Sequence, residues 1–432
     1  MEVEKEQMRK VYAGYALGEE YCQISLFAPG NSSEPISVTT RLGGEKINIP
    51  MLLAKKKQIE QWYYGEEAIR QIELGQAIAV ENLYKGSMEN QSVEIEGKKY
   101  KMVLLLQMYL RKTFGLLLSY VPLEKVQMCT FAVDKIDADM VQMWKTIIEG
   151  LPIEKSALSL ISYGEGFAYY VAFQEEISWE RGAVLFECKG KDKIISRVLT
   201  LDKGTLPHLL FVEEKEWEIA DYNDETFFDC AKALLSKIKA SVIYLVGEEF
   251  AQNWYPETLK LLCQGRRVFR GQNLYGLGAL NYSGIKLGVK NEDYLYLGEE
   301  QIHVNFFLKA VYQGEETDYE LLSAESHWFE AEKIIDFVPD KENQVAVYVR
   351  GLDGKCEEVI RVLLNDFPIR DEGASRLRLK LHFPERYVGA IEVEDLGFGE
   401  IYVATHKVWE EKFDLRLLQE KLNGNLKHIK ER

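Results

Sequence analysis

Histidines, cysteines and paired carboxylates build most catalytic and metal centres, and their spacing in this chain fits none of the common ones. The six histidines, His208, His303, His327, His382, His406 and His428, show no metal-ligand spacing and no pairing with Cys or Asp. The six cysteines, Cys22, Cys129, Cys188, Cys230, Cys263 and Cys356, contain no pair spaced for a zinc knuckle or a thioredoxin-type couple. Neither a Walker-type loop nor a nucleophile elbow occurs. Adjacent carboxylates such as Glu213–Glu214 and Glu410–Glu411 read as solvated surface. Trp254 and Tyr255 fall between predicted elements and read as a surface or lobe contact, not as a base-stacking platform.

Composition narrows the remaining chemistry. Over 432 residues, 47% are hydrophobic and 28% charged, values that allow a sizeable core. The net charge of −16 is spread along the chain and would repel a phosphate backbone, which argues against nucleic acid and anionic membranes as partners. The start, MEVEKEQMRK, has no apolar signal core. The most lipid-like stretch, from Met102, is interrupted by Arg111 and Lys112, so it predicts a long buried helix instead of a membrane span. Scattered cysteines in apolar surroundings read as reduced core residues, and a cytoplasmic location is expected.

The first half alternates strand and helix patterns, as an α/β domain does. EYCQISLF from Glu20, MCTFAVD from Met128, ALSLISY from Ala157, GAVLFEC from Gly182 and SVIYLVG from Ser241 are apolar on both faces, as in a covered sheet. Asp137 is expected to cap a helix that ends on a left-handed Gly150. Asp224 is expected to open another, with Phe227, Phe228, Ala231, Leu234 and Leu235 on its apolar face. Past Tyr282 the pattern changes to alternation. Leu377, Leu379, Leu381 and Phe383 point one way and Arg376, Arg378, Lys380 and His382 the other, which predicts a β-sandwich. Strands are expected at QVAVYV from Gln344 and EIYVATHKV from Glu400, and a short amphipathic helix from Asp414. The sequence shows no internal repeat.

Taken in order, these segments resemble the DnaK-type heat-shock chaperones of the actin-like ATPase superfamily. GYALGEEYCQISLF from Gly14 resembles the first phosphate hairpin, and GAVLFECKGKDKIIS from Gly182 stands where the second belongs. SVIYLVGEEFAQ and GQNLYGLGAL from Gly271 are similar to the adenosine-contacting turn and closing helix. RLRLKLHFPERYVGAIEVEDLGFGEIYVA is similar to the last hairpin of the peptide-binding sandwich. The resemblance implies an actin-like ATPase fold, of the duplicated ribonuclease-H type, over residues 1–285, with lobe I about 1–155 and lobe II about 156–285. It implies an all-β, substrate-binding-like sandwich over 286–413 and a short helix over 414–432.

The same resemblance places the nucleotide cleft at Gly18, Glu187, Lys189, Gly190, Lys191, Gly247, Gly276 and Gly278. Its hydrolytic groups are mostly replaced. Ala16 stands for the first Asp, with Glu19 and Glu20 for the Thr pair; Glu187 to Asp192 replace the second glycine-rich run. Glu187 could still face a metal, and Lys189 or Lys191 an anion. Two carboxylates beside a triphosphate would be repulsive by about 1 to 4 kcal/mol each at 4 Å. Lys85 is the nearest cation to the expected catalytic lysine, and Ser162, Tyr163, Gly164 and Glu165 replace the connecting motif. Glu248 and Glu249 follow Gly247, and close helix packing accounts equally well for the glycines. Between Asp192 and Ser241 there is little room for the lobe that helps the chaperones grip adenine. The expectation is a non-catalytic scaffold or chaperone-like module that needs no cofactor and engages a protein or extended peptide. The alternative is an ATP- and magnesium-binding protein or slow ATPase with rewired contacts. Phe306 or Phe307 would line a peptide groove or, in the structural reading, the core.

Overall fold

Strands apolar on both faces must be covered on both sides, and the computed structural model covers them with helices. It describes residues 10–30, 32–40, 44–174, 179, 181–271, 273–291, 293–340, 343–354, 357–371 and 373–424. The expectations on Cys356, His428 and the first nine residues lie outside this set. The chain forms two compact units, Met1–Tyr296 and Leu297–Arg432.

The N-terminal unit holds two large sheets of one design. The first contains β1 (Val11–Leu17), β2 (Tyr21–Phe27), β3 (Ile36–Ser37), β4 (Val126–Val133) and β5 (Leu158–Ser162) in the order β5-β4-β1-β2-β3. The β1–β2 and β2–β3 pairs are antiparallel, whereas β4 is parallel to both β1 and β5. The second contains β6 (Ala183–Lys189), β7 (Lys193–Asp202), β8 (His208–Glu218), β9 (Val242–Val246) and β10 (Arg267–Gly271). Its order, β10-β9-β6-β7-β8, and its parallel and antiparallel pairs repeat the first. The duplication exists in topology although the sequence carries no visible repeat.

The helices repeat as well. α1 (Met102–Leu117) leads into β4, α2 (Ala138–Ile148) joins β4 to β5, and α3 (Tyr163–Ala172) follows β5. In the second half α4 (Asp224–Leu235), α5 (Pro256–Leu262) and α6 (Leu274–Lys286) take the same places. The last helix of each half is exchanged: α6 lies on β1 and β4, and α3 runs beside β8. Their crossing sets the lobe spacing. A Cβ added at Gly278 would fall 1.9 Å from the Gly166 carbonyl oxygen, and one at Gly14 would fall 2.2 Å from the Leu280 nitrogen. Only glycine permits either approach. Ser283 Oγ donates to Ala13 O at 2.8 Å and lies 2.7 Å from Thr130 Oγ1, tying α6 to the first sheet.

Several local expectations change. β5 belongs to the first sheet, so the first lobe extends past residue 155. A short strand, β11 (Tyr294–Tyr296), pairs with β8, which moves the unit boundary beyond 285. Asp137 does cap α2, accepting from Met140 N at 2.8 Å. Gly150 is not left-handed: its missing Cβ makes room for Gln107, whose amide donates to the end carbonyls Thr146 O and Ile147 O at 2.7 and 3.2 Å. Asn223, not Asp224, caps α4 through Thr226 N, while Asp224 reaches α5 and accepts from Glu257 N and Thr258 N.

Residues 38–101 form an insertion in the first half, built from a three-stranded sheet (Trp62–Tyr64, Leu53–Lys56, Ala77–Val80) over helix Gly65–Glu73 and a hairpin, Ser92–Ile95 with Lys98–Lys101. At the same place in the second half only residues 219–223 join β8 to α4. Among the described residues no helix is long and apolar enough to cross a membrane.

The C-terminal unit has two antiparallel four-stranded sheets. One runs β13 (Glu315–Leu322), β12 (Val304–Tyr312), β15 (Gln344–Gly351), β16 (Glu357–Leu363); the other runs β14 (Glu332–Phe337), β17 (Leu377–Glu385), β18 (Val388–Asp395), β19 (Val408–Asp414). Phe306 of β12 meets Phe383 and Phe413 across the core, and buried Phe307 stacks on Tyr348. The strand expected from Glu400 begins instead at Val408. Gly397 and Gly399 are left-handed, and Ile401 and Val403 are exposed. Buried Asp395 holds this loop by pairing with Arg370 at 2.6 Å and accepting from Thr405 N at 2.9 Å. Helix α7 (Leu415–Asn423) closes the described chain, with Asp414 accepting from Leu417 N.

Candidate functional site

A parallel strand delivers the residue after its last pair to one edge of the sheet, and the edges of the two sheets in the N-terminal unit face each other. Asp134 follows β4 there, and Glu187 and Lys189 end β6 opposite it. The N-termini of α3 and α6 bring Tyr163 and Tyr275 to the same place. Asn273 opens α6 in a left-handed conformation, φ +57°, and its amide donates to Ser25 Oγ at 2.8 Å and Ser37 Oγ at 3.0 Å. A Cβ at Gly276 would fall 2.2 Å from the Asn273 Oδ1, so glycine there leaves space for the Asn273 side chain.

The centre of the site is Arg197 on β7, fully buried. It is a residue the sequence reading missed. Its Nη1 donates to Glu187 Oε2 at 2.5 Å and to the Tyr275 hydroxyl at 2.5 Å. Its Nη2 reaches Glu214 at 2.9 Å, directly across the β7–β8 ladder, and Asp134 at 3.2 Å. Lys189 Nζ lies 2.5 Å from the other Asp134 oxygen. Tyr275 donates to Glu187 at 2.7 Å and stacks on Tyr163 with ring centroids 3.9 Å apart. Tyr163 in turn donates to Leu17 O at 2.8 Å.

These contacts fix the charges. Burial pulls the Arg197 guanidinium down, but Tyr275, Glu187, Glu214 and Asp134 more than reverse this and hold it well above its ordinary value. Burial would also raise the Asp134 carboxyl. The Lys189 ammonium, with its hydrogen bond, and then Arg197 and Lys135 reverse this and keep it below the ordinary carboxylate range. Burial pushes the Tyr163 and Tyr275 phenols well up, so both remain neutral donors. Two cations thus meet three carboxylates.

The expected site residues divide accordingly. Glu187 and Lys189 are in this network, engaged with the protein's own charges. Lys191 is exposed at the hairpin turn, where Gly190 takes φ +64°. Gly18 closes the first hairpin, donating to Tyr21 O at 3.0 Å, with Glu19 and Glu20 exposed beside it. Gly247 has φ +118°, and a Cβ there would meet the Cys188 Cβ at 3.2 Å. Glu249 is raised by burial and then by Glu20, Glu248 and Glu187, so these carboxylates share one rim. Asn48 donates to Glu248 at 2.6 Å across that rim. Gly276 makes room for the Asn273 side chain and Gly278 for the helix crossing, and Lys85 is exposed on helix Leu83–Met88. Among the described residues no group of three or more His, Cys, Asp or Glu side chains is arranged to hold a metal ion. Trp254 and Tyr255 pack with Phe227 and Phe250 in the second half's core.

The lone charge in IISRVL was the signal that could have revealed Arg197. Its partners come from β4, β6, β8 and α6, which only the folded topology brings together.

The two units also correspond to separate family models. The model described as family of unknown function (DUF5716) C-terminal matches residues 34–299. The chain belongs to this DUF5716 C-terminal family. A domain of unknown function, DUF8552, matches residues 301–415, so the two matches meet close to the Tyr296–Leu297 division. No curated protein matches the chain.

Proposed function

We propose that this DUF5716 family member is a non-catalytic, DnaK-like protein of the actin-like ATPase superfamily, acting as a scaffold or chaperone-like module for a protein or extended peptide. Two facing sheets of one strand order, with their last helices exchanged, are the duplication such a fold requires. The two antiparallel sheets that follow are what a substrate-domain-like sandwich requires. A cytoplasmic site of action fits the described cysteines, all free thiols and four of them buried.

The observation that carries the reading is Arg197. In a working ATPase the second hairpin would turn an acidic residue toward metal and phosphate. Here Glu187 is spent on Arg197 and Tyr275, Lys189 on Asp134, and further carboxylates line the rim. A triphosphate would have to break these pairs and enter a field of its own sign. The second half also lacks the insertion that would complete a clamp around adenine.

A thermal-shift titration tests this. Millimolar ATP with magnesium should leave the melting temperature unchanged, because only a ligand selective for the folded state raises it. A clear upward shift would undo the reading.

A further inference from the structure

The same ion pairs do more than fill space, because they join the two halves of the N-terminal unit. Asp134 belongs to the first sheet, while Lys189, Arg197 and Glu214 belong to the second. Asp134 bridges to Lys189 at 2.5 Å and to Arg197 at 3.2 Å, and its neighbour Lys135 reaches Glu214 at 3.7 Å. A second set of contacts also joins the halves: Gln23 donates to Asn48, and Asn48 to Glu248 of the second half, both at 2.6 Å. Charged and amide contacts therefore both join the halves, and one member, Arg197, is completely buried.

We infer that this Asp134–Lys189–Arg197–Glu214 bridge is a built-in interlobe strut that holds the two halves permanently closed. Moving the lobes apart about the α3–α6 crossing would expose Arg197 and leave Asp134 without its cations. Breaking a buried, hydrogen-bonded pair is far costlier than breaking a surface pair. Neither α3 nor α6 can slide to compensate, because Gly278 and Gly166 are already in backbone contact. The strut rests on side chains present in the chain itself, and lobe separation reads it without any nucleotide.

Distance measurements between spin labels test it on the full chain. Labels at Lys145→Cys on α2 and Lys237→Cys just past α4 report the separation of the halves, with Cys263→Ser removing an exposed thiol and Cys356→Ser a further cysteine. The native background should give one narrow distance distribution. Asp134→Asn with Lys189→Met should broaden it at least about twofold or shift it to longer distances, as expected of a released hinge. Lys193→Met, which breaks a Lys193–Glu216 pair lying wholly within the second sheet, should leave it unchanged. If the double variant fails to fold, Lys189→Met alone, at a partly exposed position, makes the same comparison. A folded strut variant as narrow as the native chain and centred at the same distance, or a native distribution already as broad as the variant's, would overturn the inference. ATP binding is read separately by the melting temperature, so the two ideas fail on different instruments.

Discussion

The two halves of the N-terminal unit share a strand order and differ in what they put at its centre. On β2 the buried polar residues are small or neutral, Gln23 and Ser25, and Gly14 on β1 leaves a hollow that the α6 backbone fills. On β7, the counterpart of β2, a buried arginine takes that role and gathers carboxylates from three other segments. The first half carries the insertion of residues 38–101, and the second passes straight from β8 to α4. Apolar patterning is thus enough to specify the sheet twice. The buried polar residues within the strands decide whether the space between the sheets is open or filled.

The sharpest way to break this comparison is to remove the central polar group of each half. Arg197→Met should cost about 3 to 5 kcal/mol in urea unfolding, because it takes the guanidinium from Glu187 and one of two cations from Asp134 and from Glu214. Gln23→Met, which loses one hydrogen bond to Asn48, should cost about 1 kcal/mol. Equal costs would mean that the second half does not depend on its charge. Next comes the helix crossing. Gly278→Ala drives a Cβ into the Gly166 carbonyl and should cost about 3 kcal/mol or more. Gly166→Ala meets its nearest atom at 3.6 Å and should change the midpoint by less than about 1 kcal/mol.

The caps separate the halves more gently. Asp137 caps its own helix, whereas Asp224 caps α5 from α4 with two backbone amides and the Thr258 hydroxyl. Asp224→Ala should therefore cost about 2 kcal/mol and Asp137→Ala about 1 by thermal unfolding. The pH dependence is the finest test. Asp134 is held below its unfolded value, so its contribution is complete above about pH 4 and is lost as pH falls through the depressed folded value. Urea midpoints from pH 7 to 2 should fall on the acid side, and Asp134→Asn should flatten part of that fall.

Much of this fold was legible because buried strands need apolar residues on both faces, as VLFEC and VIYLV have. Other features depended on partners distant in sequence. Gly150 looked like a left-handed helix terminator, but it donates to Ile147 O without a left-handed turn, and Gln107 covers Thr146 O and shares Ile147 O. Asp224 looked like a local cap and serves the next helix instead. The alternation in EIYVATHKV mimicked a strand, yet Asp395 and Arg370 pin that segment as a loop. Of the candidate site, Glu187 and Lys189 could be named from the sequence. Asp134, Glu214 and Tyr275 could not, because what joins them is the register of β7 with β8 and the approach of α6.

Equilibrium dialysis of labelled ATP with magnesium against the full chain at millimolar concentration asks most directly whether the Arg197 network occupies the cleft. The account predicts equal free ATP on both sides. Retention of one ATP per chain, lost in Glu187→Gln, would contradict it.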